Sequence, residues 1–362
     1  MNETRIIEAL TVWFAAHARD LPWRQTRDPY AVWVSEVMLQ QTQVKTVLTY
    51  WRRWMRVLPD IASLAAVDAG KLHKLWEGLG YYTRVRNLQQ AARLIVARHD
   101  GRFPKDFEAV LDLPGIGRYT AGAVCSIAFD QPHPILDGNV IRVLTRLFGI
   151  PGRVRERETN RRLWQLAEDL VKRTCRRQPK GSPSLFNQSL MELGALVCTP
   201  RQPRCGDCPV SDWCSARQHS HINDLPNLGP RPGTLQRRFA AFLVRDGRRF
   251  LVRQRPAGGV NAHLWEFPNL ELASQDDAPR EAAQRLFGFG PETIELLGVL
   301  KHSITCNRIT LEVFALSGCP RLSASGVGEW LTAHQMARLP FTAAHKKIRL
   351  RFAPAGARRL KA

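Results

Sequence analysis

Leu113-Pro114-Gly115-Ile116-Gly117-Arg118-Tyr119-Thr120-Ala121 is the run from which the fold of this chain is read. Two glycines one residue apart close a tight turn, and helical apolar spacing starts directly after them. Glycine lets a backbone pass close to a phosphate, and the amides at a helix N-terminus favour an anion there. A glycine pair by itself marks only a turn, so the surroundings decide. Apolar residues recur at helical spacing in 33–50, 88–98, 119–129, 139–148, 162–172 and 185–197, with short Pro/Gly breaks between them. Residues 1–215 therefore read as a mainly α domain.

The pattern changes after that. Residues 216–236 are polar and rich in Pro and Gly, which reads as a linker. Phe239–Val244 and Phe250–Arg253 read as a hairpin around Asp246-Gly247, Ile309–Leu316 as a further strand, and Ala278–Phe287 as a helix. The second domain, 237–353, is thus predicted to be α+β, with a basic tail at 354–362.

The chain has 362 residues, 44% of them hydrophobic and 23% charged, which excludes a disordered polymer. Lys and Arg total 53 against 32 Asp and Glu, a formal charge of +21. Such an excess suits a polyanion, nucleic acid ahead of an anionic membrane surface; a merely solvated basic surface is the alternative. No apolar run is long enough to span a bilayer. Ile6, Ile7, Leu10, Trp13 and Phe14 follow the start at amphipathic-helix spacing, unlike a signal peptide. A cytoplasmic, nucleoid-associated protein is expected.

Of eight cysteines, four crowd into residues 198–214. Cys198, Cys205, Cys208 and Cys214 have the spacing C-x6-C-x2-C-x5-C. Four thiolates in so short a loop can enclose one metal centre, either a zinc knuckle or an iron–sulfur cluster. Arg201 and Arg204 lie between the first two, where a tied-down loop would bring two cations to phosphate. Cys125, Cys175, Cys306 and Cys319 are scattered and read as ordinary residues.

Two carboxylates stand out. Asp137, in Ile135-Leu136-Asp137-Gly138-Asn139-Val140-Ile141-Arg142-Val143-Leu144, precedes a helix, and its plain role is an N-cap. Glu36, in Ser35-Glu36-Val37-Met38-Leu39-Gln40-Gln41-Thr42-Gln43-Val44, adjoins an apolar face made by Val34, Val37, Met38, Val44, Val47 and Leu48. An exposed helix glutamate is the alternative there.

Taken together these runs resemble the adenine DNA glycosylases (MutY type) of the endonuclease III superfamily. Leu21-Pro22-Trp23-Arg24, Gly78-Leu79-Gly80-Tyr81-Tyr82-Thr83-Arg84 and Phe186-Asn187-Gln188-Ser189-Leu190-Met191-Glu192-Leu193-Gly194 match the same family, so the resemblance spans 21–214 in order. It implies a helix-hairpin-helix domain of two helical lobes, whose hairpin (Gly115, Gly117) grips phosphate without reading bases. It also implies a structural [4Fe-4S] cluster on the four cysteines.

The resemblance further implies base excision repair. The chain would hydrolyse the N-glycosidic bond of adenine mispaired with 8-oxoguanine, or guanine, in double-stranded DNA, working as a monomer. Adenine is a poor leaving group as an anion, so a carboxylic acid kept neutral by an apolar pocket must protonate it. Glu36 holds that role. Asp137 stabilises the oxocarbenium ion at C1′ or attacks it transiently. Environments that push the two pKa values apart are expected. Bifunctional relatives carry a lysine where this chain has Tyr119, so base removal without strand cleavage is expected. Asn139 would position Asp137 or water. The adenine must leave the stack; Gln41 and Tyr81 are the implied wedge, and Trp23, Arg24, Leu39 and Gln188 the implied adenine pocket. Core packing for Trp23 and Leu39, and a solvated face for Gln41 and Gln188, are the plain alternatives.

In the second domain, Leu251-Val252-Arg253-Gln254-Arg255-Pro256 and Leu264-Trp265-Glu266-Phe267-Pro268 resemble the Nudix-like domain of the same family. Pro279–Gly288 keeps one glutamate, Glu281, where a hydrolase needs several, which implies recognition without hydrolysis. The lesion-sensing loop of the family is matched by His302-Ser303-Ile304-Thr305-Cys306-Asn307-Arg308, with Ser303, Thr305 and Arg308 as candidates. A mismatch thymine glycosylase would share Tyr119 and Asp137 but lacks a reason for Glu36 and the second domain. A non-catalytic DNA-binding module and a Nudix pyrophosphatase are the readings from other classes.

Overall fold

The computed structural model describes residues 3–175, 182–230, 233–273, 277–288, 290–304, 306–317 and 328–353. Among these, residues 3–66 with 86–230 form one compact unit, and 67–85 with 233–353 another.

The first unit is helical. Helix Pro29–Leu39 starts where Asp28 accepts from the amides of Tyr30 and Ala31 at 3.1 and 3.2 Å, with Pro29 in the first turn. Every residue from Tyr30 to Met38 is buried, so this helix is apolar all round and central. Helix Val44–Val57 is amphipathic and buries Val47, Trp51 and Trp54. The helical spacing over 33–50 therefore covers two helices. The break falls at Gln41, whose φ of 56° lies in the left-handed region, and neither Pro nor Gly announces it.

The hairpin forms as the glycine run implies. Gly115 has φ 76°, and a Cβ there would sit 2.6 Å from that of Asn87, so only glycine fits. Gly117 is the N-cap of helix Arg118–Phe129. Asp137 caps helix Gly138–Phe148 through the Val140 amide at 2.8 Å. Helix Ser182–Leu196 packs on helices Glu3–His17, Arg118–Phe129 and Gly138–Phe148. Gly194 permits that approach, since a Cβ there would lie 2.7 Å from that of Asn139.

The unit boundaries differ from the sequence expectation in two places. The supposed linker is pinned to the first unit: the Arg146 guanidinium donates to the carbonyls of Ile222 and Leu225, and Val154 N donates to Asn227 O at 3.0 Å. These bonds satisfy a backbone that its Pro/Gly content marked as loose. Residues 67–85, in turn, group with the second unit.

Among the described residues the second unit has seven strands: β1 Leu235–Asp246, β2 Arg249–Gln254, β3 Trp265–Glu266, β4 Asn269–Leu272, β5 Thr293–Ile304, β6 Asn307–Ser317 and β7 Glu329–Thr332. β1 and β2 form the expected hairpin at Gly247, paired at Arg245↔Phe250 and Asp246↔Arg249. Most of β1, however, pairs in parallel with β6, from Leu235↔Asn307 to Val244↔Leu316. β5 and β6 form a long antiparallel hairpin. Alternation along β1 feeds two cores: Ala241 and Leu243 face one, and Ala240, Phe242 and Val244 the other. Helix Ala343–Phe352 covers the first through Ile348, and helix Pro279–Phe287 the second through Ala282, Ala283 and Phe287. The basic tail, 354–362, lies outside the described residues. No helix among the described residues is long and apolar enough to cross a membrane.

Candidate active site

A cavity in the first unit gathers most of the predicted residues. Trp23, Arg24, Glu36, Leu39, Gln41, Tyr119, Asp137, Asn139 and Gln188 all line it. They arrive on different elements: Glu36 on the central helix Pro29–Leu39, Tyr119 in the first turn after the hairpin, Asp137 and Asn139 at the start of helix Gly138–Phe148.

Glu36 is 3% exposed, so the exposed-glutamate alternative is set aside. Burial pushes its carboxyl up from 4.5 to about 7, and the Asp137 charge adds to this. A hydrogen bond donated by the Tyr119 phenol to Oε2, at 2.7 Å, and the Arg24 charge pull the other way. Tyr119 itself is raised well above its ordinary value by burial and by both carboxylates, so it stays a phenol and a donor.

Asp137 is also raised, chiefly by burial. The two environments therefore do not push in opposite directions. They differ in hydrogen bonds: Asp137 accepts from the Val140 amide at 2.8 Å and from Asn139 Nδ2 at 3.1 Å, while Glu36 accepts from one phenol. Donors aimed at a carboxylate favour its ionised form, so a proton shared by the pair belongs on Glu36. Asp137 thus caps its helix and also lines the cavity.

Glu192 and Arg19 also line this cavity and were not singled out from sequence. Glu192 is fully buried and accepts from Arg19 Nη2 at 2.6 Å and Arg24 Nη2 at 2.8 Å, and the two guanidiniums hold it down at about 2. Arg24, predicted to line the pocket, is thus occupied by a bidentate pair. The available signal was that Glu192 follows Gln188 by one helical turn. Trp23 is 5% exposed, packs edge-on to Trp51 and forms part of the cavity wall.

Arg142, buried in helix Gly138–Phe148, ties the pocket to the cysteine loop. Its Nη2 donates to Asn139 Oδ1 at 2.9 Å and Gly194 O at 2.7 Å, and its Nε to Cys198 O at 2.7 Å. Holding Asn139 Oδ1 in this way turns the Nδ2 of that amide toward Asp137. One turn on, Arg146 donates to Thr199 O at 2.8 Å and reaches Cys198 Sγ at 3.5 Å.

Cys198, Cys205, Cys208 and Cys214 surround a second cavity, lined otherwise by side chains that include Arg146 and Arg217. Burial pushes the Cys208 thiol up to about 12, and the charges of the other three add to this. Four soft donors facing one space, with thiolate charge to be offset, fit an iron–sulfur cluster. Among the described residues, no group of three or more His, Cys, Asp or Glu is arranged to hold a metal ion at other sites or here as one ion.

The remaining predicted residues lie elsewhere. Gly115 and Gly117 form the hairpin outside the cavity wall. Tyr81 belongs to the second unit, 45% exposed with φ 48°. Ser303 sits at the exposed end of β5 opposite Arg308. Thr305 lies outside the described residues, as does Cys319. Glu281 is exposed on its helix.

Residues 34–169 match the HhH-GPD superfamily base excision DNA repair protein family, 198–214 the iron-sulfur binding domain of endonuclease III, and 240–351 the Nudix domain. Adenine DNA glycosylase from Mus musculus is 36% identical over 94% of this chain and 76% of its own length, and that from Homo sapiens 36% over 94% and 72%. The chain belongs to the adenine DNA glycosylase family. It is an enzyme of base excision repair that acts on DNA and carries a [4Fe-4S] cluster on the cysteine loop. Among solved structures, a thermostable thymine-DNA glycosylase is 30% identical with a TM-score of 0.54 over 60% of this chain and 97% of its own. An endonuclease III bound to DNA, at 23% identity and a TM-score of 0.50 over 61% and 99%, shares the fold.

Proposed function

We propose that this adenine DNA glycosylase, acting as a monomer, excises adenine paired with 8-oxoguanine or guanine, and that it does so without cleaving the strand. The observation that carries the chemistry is Glu36: a buried carboxyl raised to about 7, in a cavity it shares with Asp137. Near neutral pH such a group is substantially protonated and surrenders its proton readily.

The placement of these side chains supports the following steps. Neutral Glu36 gives its proton to N7 of an extruded adenine, and the electrons of the C1′–N9 bond leave with the now neutral base. Positive charge builds on C1′ and the ring oxygen. Ionised Asp137, steadied by Asn139 and the Val140 amide, offsets that charge or bonds to C1′ transiently. Glu36, now a carboxylate, accepts a proton from the water that adds to C1′, which restores the acid. Tyr119 keeps Glu36 in place and cannot form a Schiff base, so an abasic site results.

Trp23, Leu39 and Gln188, with the Arg24–Glu192 pair, are the wall against which adenine rests. Gln41 and Tyr81, both held at positive φ, are the residues we assign to the gap left in the duplex. Cys198, Cys205, Cys208 and Cys214 would hold the iron–sulfur cluster, which would cross-link the loop of Arg201 and Arg204 so that these cations could meet phosphate. The second unit, with Ser303 and Arg308 at the β5–β6 end, is the part we assign to the base opposite adenine, and Thr305 is assigned with them from the sequence alone. Single-turnover release from duplexes with adenine opposite 8-oxoguanine, guanine or thymine tests the pairing preference. Release should be fast for the first, slower for the second and undetectable for the third, with strand breaks only after alkali. Equal release from all three, or breaks without alkali, contradicts the proposal.

A further inference from the structure

Helix Ala69–Trp76 ends at Glu77, and a turn of unusual backbone follows: Gly78 has φ 115°, Gly80 73° and Tyr81 48°. A left-handed tyrosine is strained and persists only where its surroundings hold it. Part of that hold is local. Trp76 Nε1 donates to Gly80 O at 3.0 Å, and Arg84 Nη2 to Leu79 O at 2.9 Å and Gly80 O at 3.1 Å. The Arg84 guanidinium lies over the rings of Trp76 and Tyr81, 5.3 and 5.7 Å from their centroids.

Glu77 bonds this turn to the sheet domain. The side chain is buried, and both its oxygens are used. Oε2 accepts from Lys74 Nζ and Lys346 Nζ, each at 3.0 Å, and Oε1 from the Phe341 amide at 3.2 Å. Lys74 Nζ also donates to Leu339 O at 3.0 Å. Phe341 is 1% exposed within the core that Ile348 completes, and Lys346 lies on helix Ala343–Phe352. Both partners are therefore fixed parts of the sheet domain.

We infer that Glu77 is a positioning residue, which seats the Tyr81 turn on the sheet domain through Lys346 and the Phe341 amide. This rests on the reading of Tyr81 as a residue that enters the duplex. On that reading, the domain assigned to the opposite base also sets the place of the wedge, and a loss at Lys346 acts on excision without touching DNA chemistry.

The test uses the full-length, cluster-bearing protein and a duplex with adenine opposite 8-oxoguanine and 2-aminopurine beside the adenine. Lys346→Met should slow single-turnover excision at saturating enzyme by about tenfold, the scale of one charged hydrogen bond. The 2-aminopurine unstacking signal should fall in step, while duplex Kd stays within about threefold because no DNA contact is removed. Lys346→Arg should restore both, and Glu77→Gln, which keeps an acceptor for the Phe341 amide, should resemble Lys346→Met. In a Tyr81→Ala background, Lys346→Met should add nothing, since both act through one side chain. Additive losses, or an unchanged rate and unstacking signal in Lys346→Met and Glu77→Gln, overturn the inference and leave the wedge reading intact. A wild-type rate and signal in Tyr81→Ala removes the wedge reading, and the inference with it.

Discussion

The Tyr119 phenol donates its hydrogen to Oε2 of Glu36 at 2.7 Å, and this bond opposes the rise that burial imposes on the carboxyl. Excision requires Glu36 neutral, so the wild-type rate should fall as pH rises through about 7. Tyr119→Phe removes a donor that favours the ionised form, which raises Glu36 further. Its falling arm should therefore move to higher pH in single-turnover profiles. An arm that stays put, or moves down, would show that the phenol does not tune this acid.

The same carboxyl makes a prediction about stability. Its folded pKa, about 7, exceeds the ordinary 4.5, so the folded state holds the proton more tightly than the unfolded one. The stability this contributes is complete below the unfolded value and is lost as pH rises through the folded one. Glu36→Gln cannot ionise. Calorimetry should find it more stable than wild type at pH well above 7, by on the order of 3 kcal/mol. At pH near 4.5 the two should nearly coincide. A difference independent of pH would contradict the assignment of a raised pKa to Glu36.

Asp137 separates its two roles by substitution. Asparagine caps a helix as well as aspartate, whereas alanine costs about 1 kcal/mol. Asp137→Asn should therefore melt near wild type yet lose excision by roughly a hundredfold or more, the scale of removing charge stabilisation from a transition state. Asp137→Ala should lose both. An active Asp137→Asn would leave the residue a cap and nothing else.

Arg142 carries a fourth prediction. It spans Asn139 Oδ1, Gly194 O and Cys198 O. Arg142→Met strips buried acceptors of their donor, at roughly 1–3 kcal/mol for each group left unsatisfied. Iron content and excision rate should decline together. Excision that falls with iron fully retained would confine Arg142 to the pocket.

How much of this was legible in the chain varies with distance. The hairpin glycines, the cap at Asp137 and the four cysteines are local patterns, read directly from spacing. The Glu192–Arg19–Arg24 cluster joins residues far apart in sequence, and no pattern near Arg19 announces a carboxylate partner. The break at Gln41 was hidden for the opposite reason: its left-handed backbone is local but carries no Pro or Gly signal. The hairpin of β1 and β2 was visible as a turn, but the longer pairing of β1 with β6 depends on chain closure across the whole domain. Residues 67–85 fell inside the span 1–215 expected to be one domain; their bonds to Leu339, Phe341 and Lys346 place them with the sheet.

The most direct test of the account is single-turnover release of adenine from a duplex bearing 8-oxoguanine opposite it, comparing wild type with Glu36→Gln at neutral pH. Release by the wild type and none detectable by the folded, DNA-binding variant is the predicted result. A Glu36→Gln enzyme that still releases adenine at the wild-type rate would contradict the role of Glu36 as the acid on which the mechanism depends.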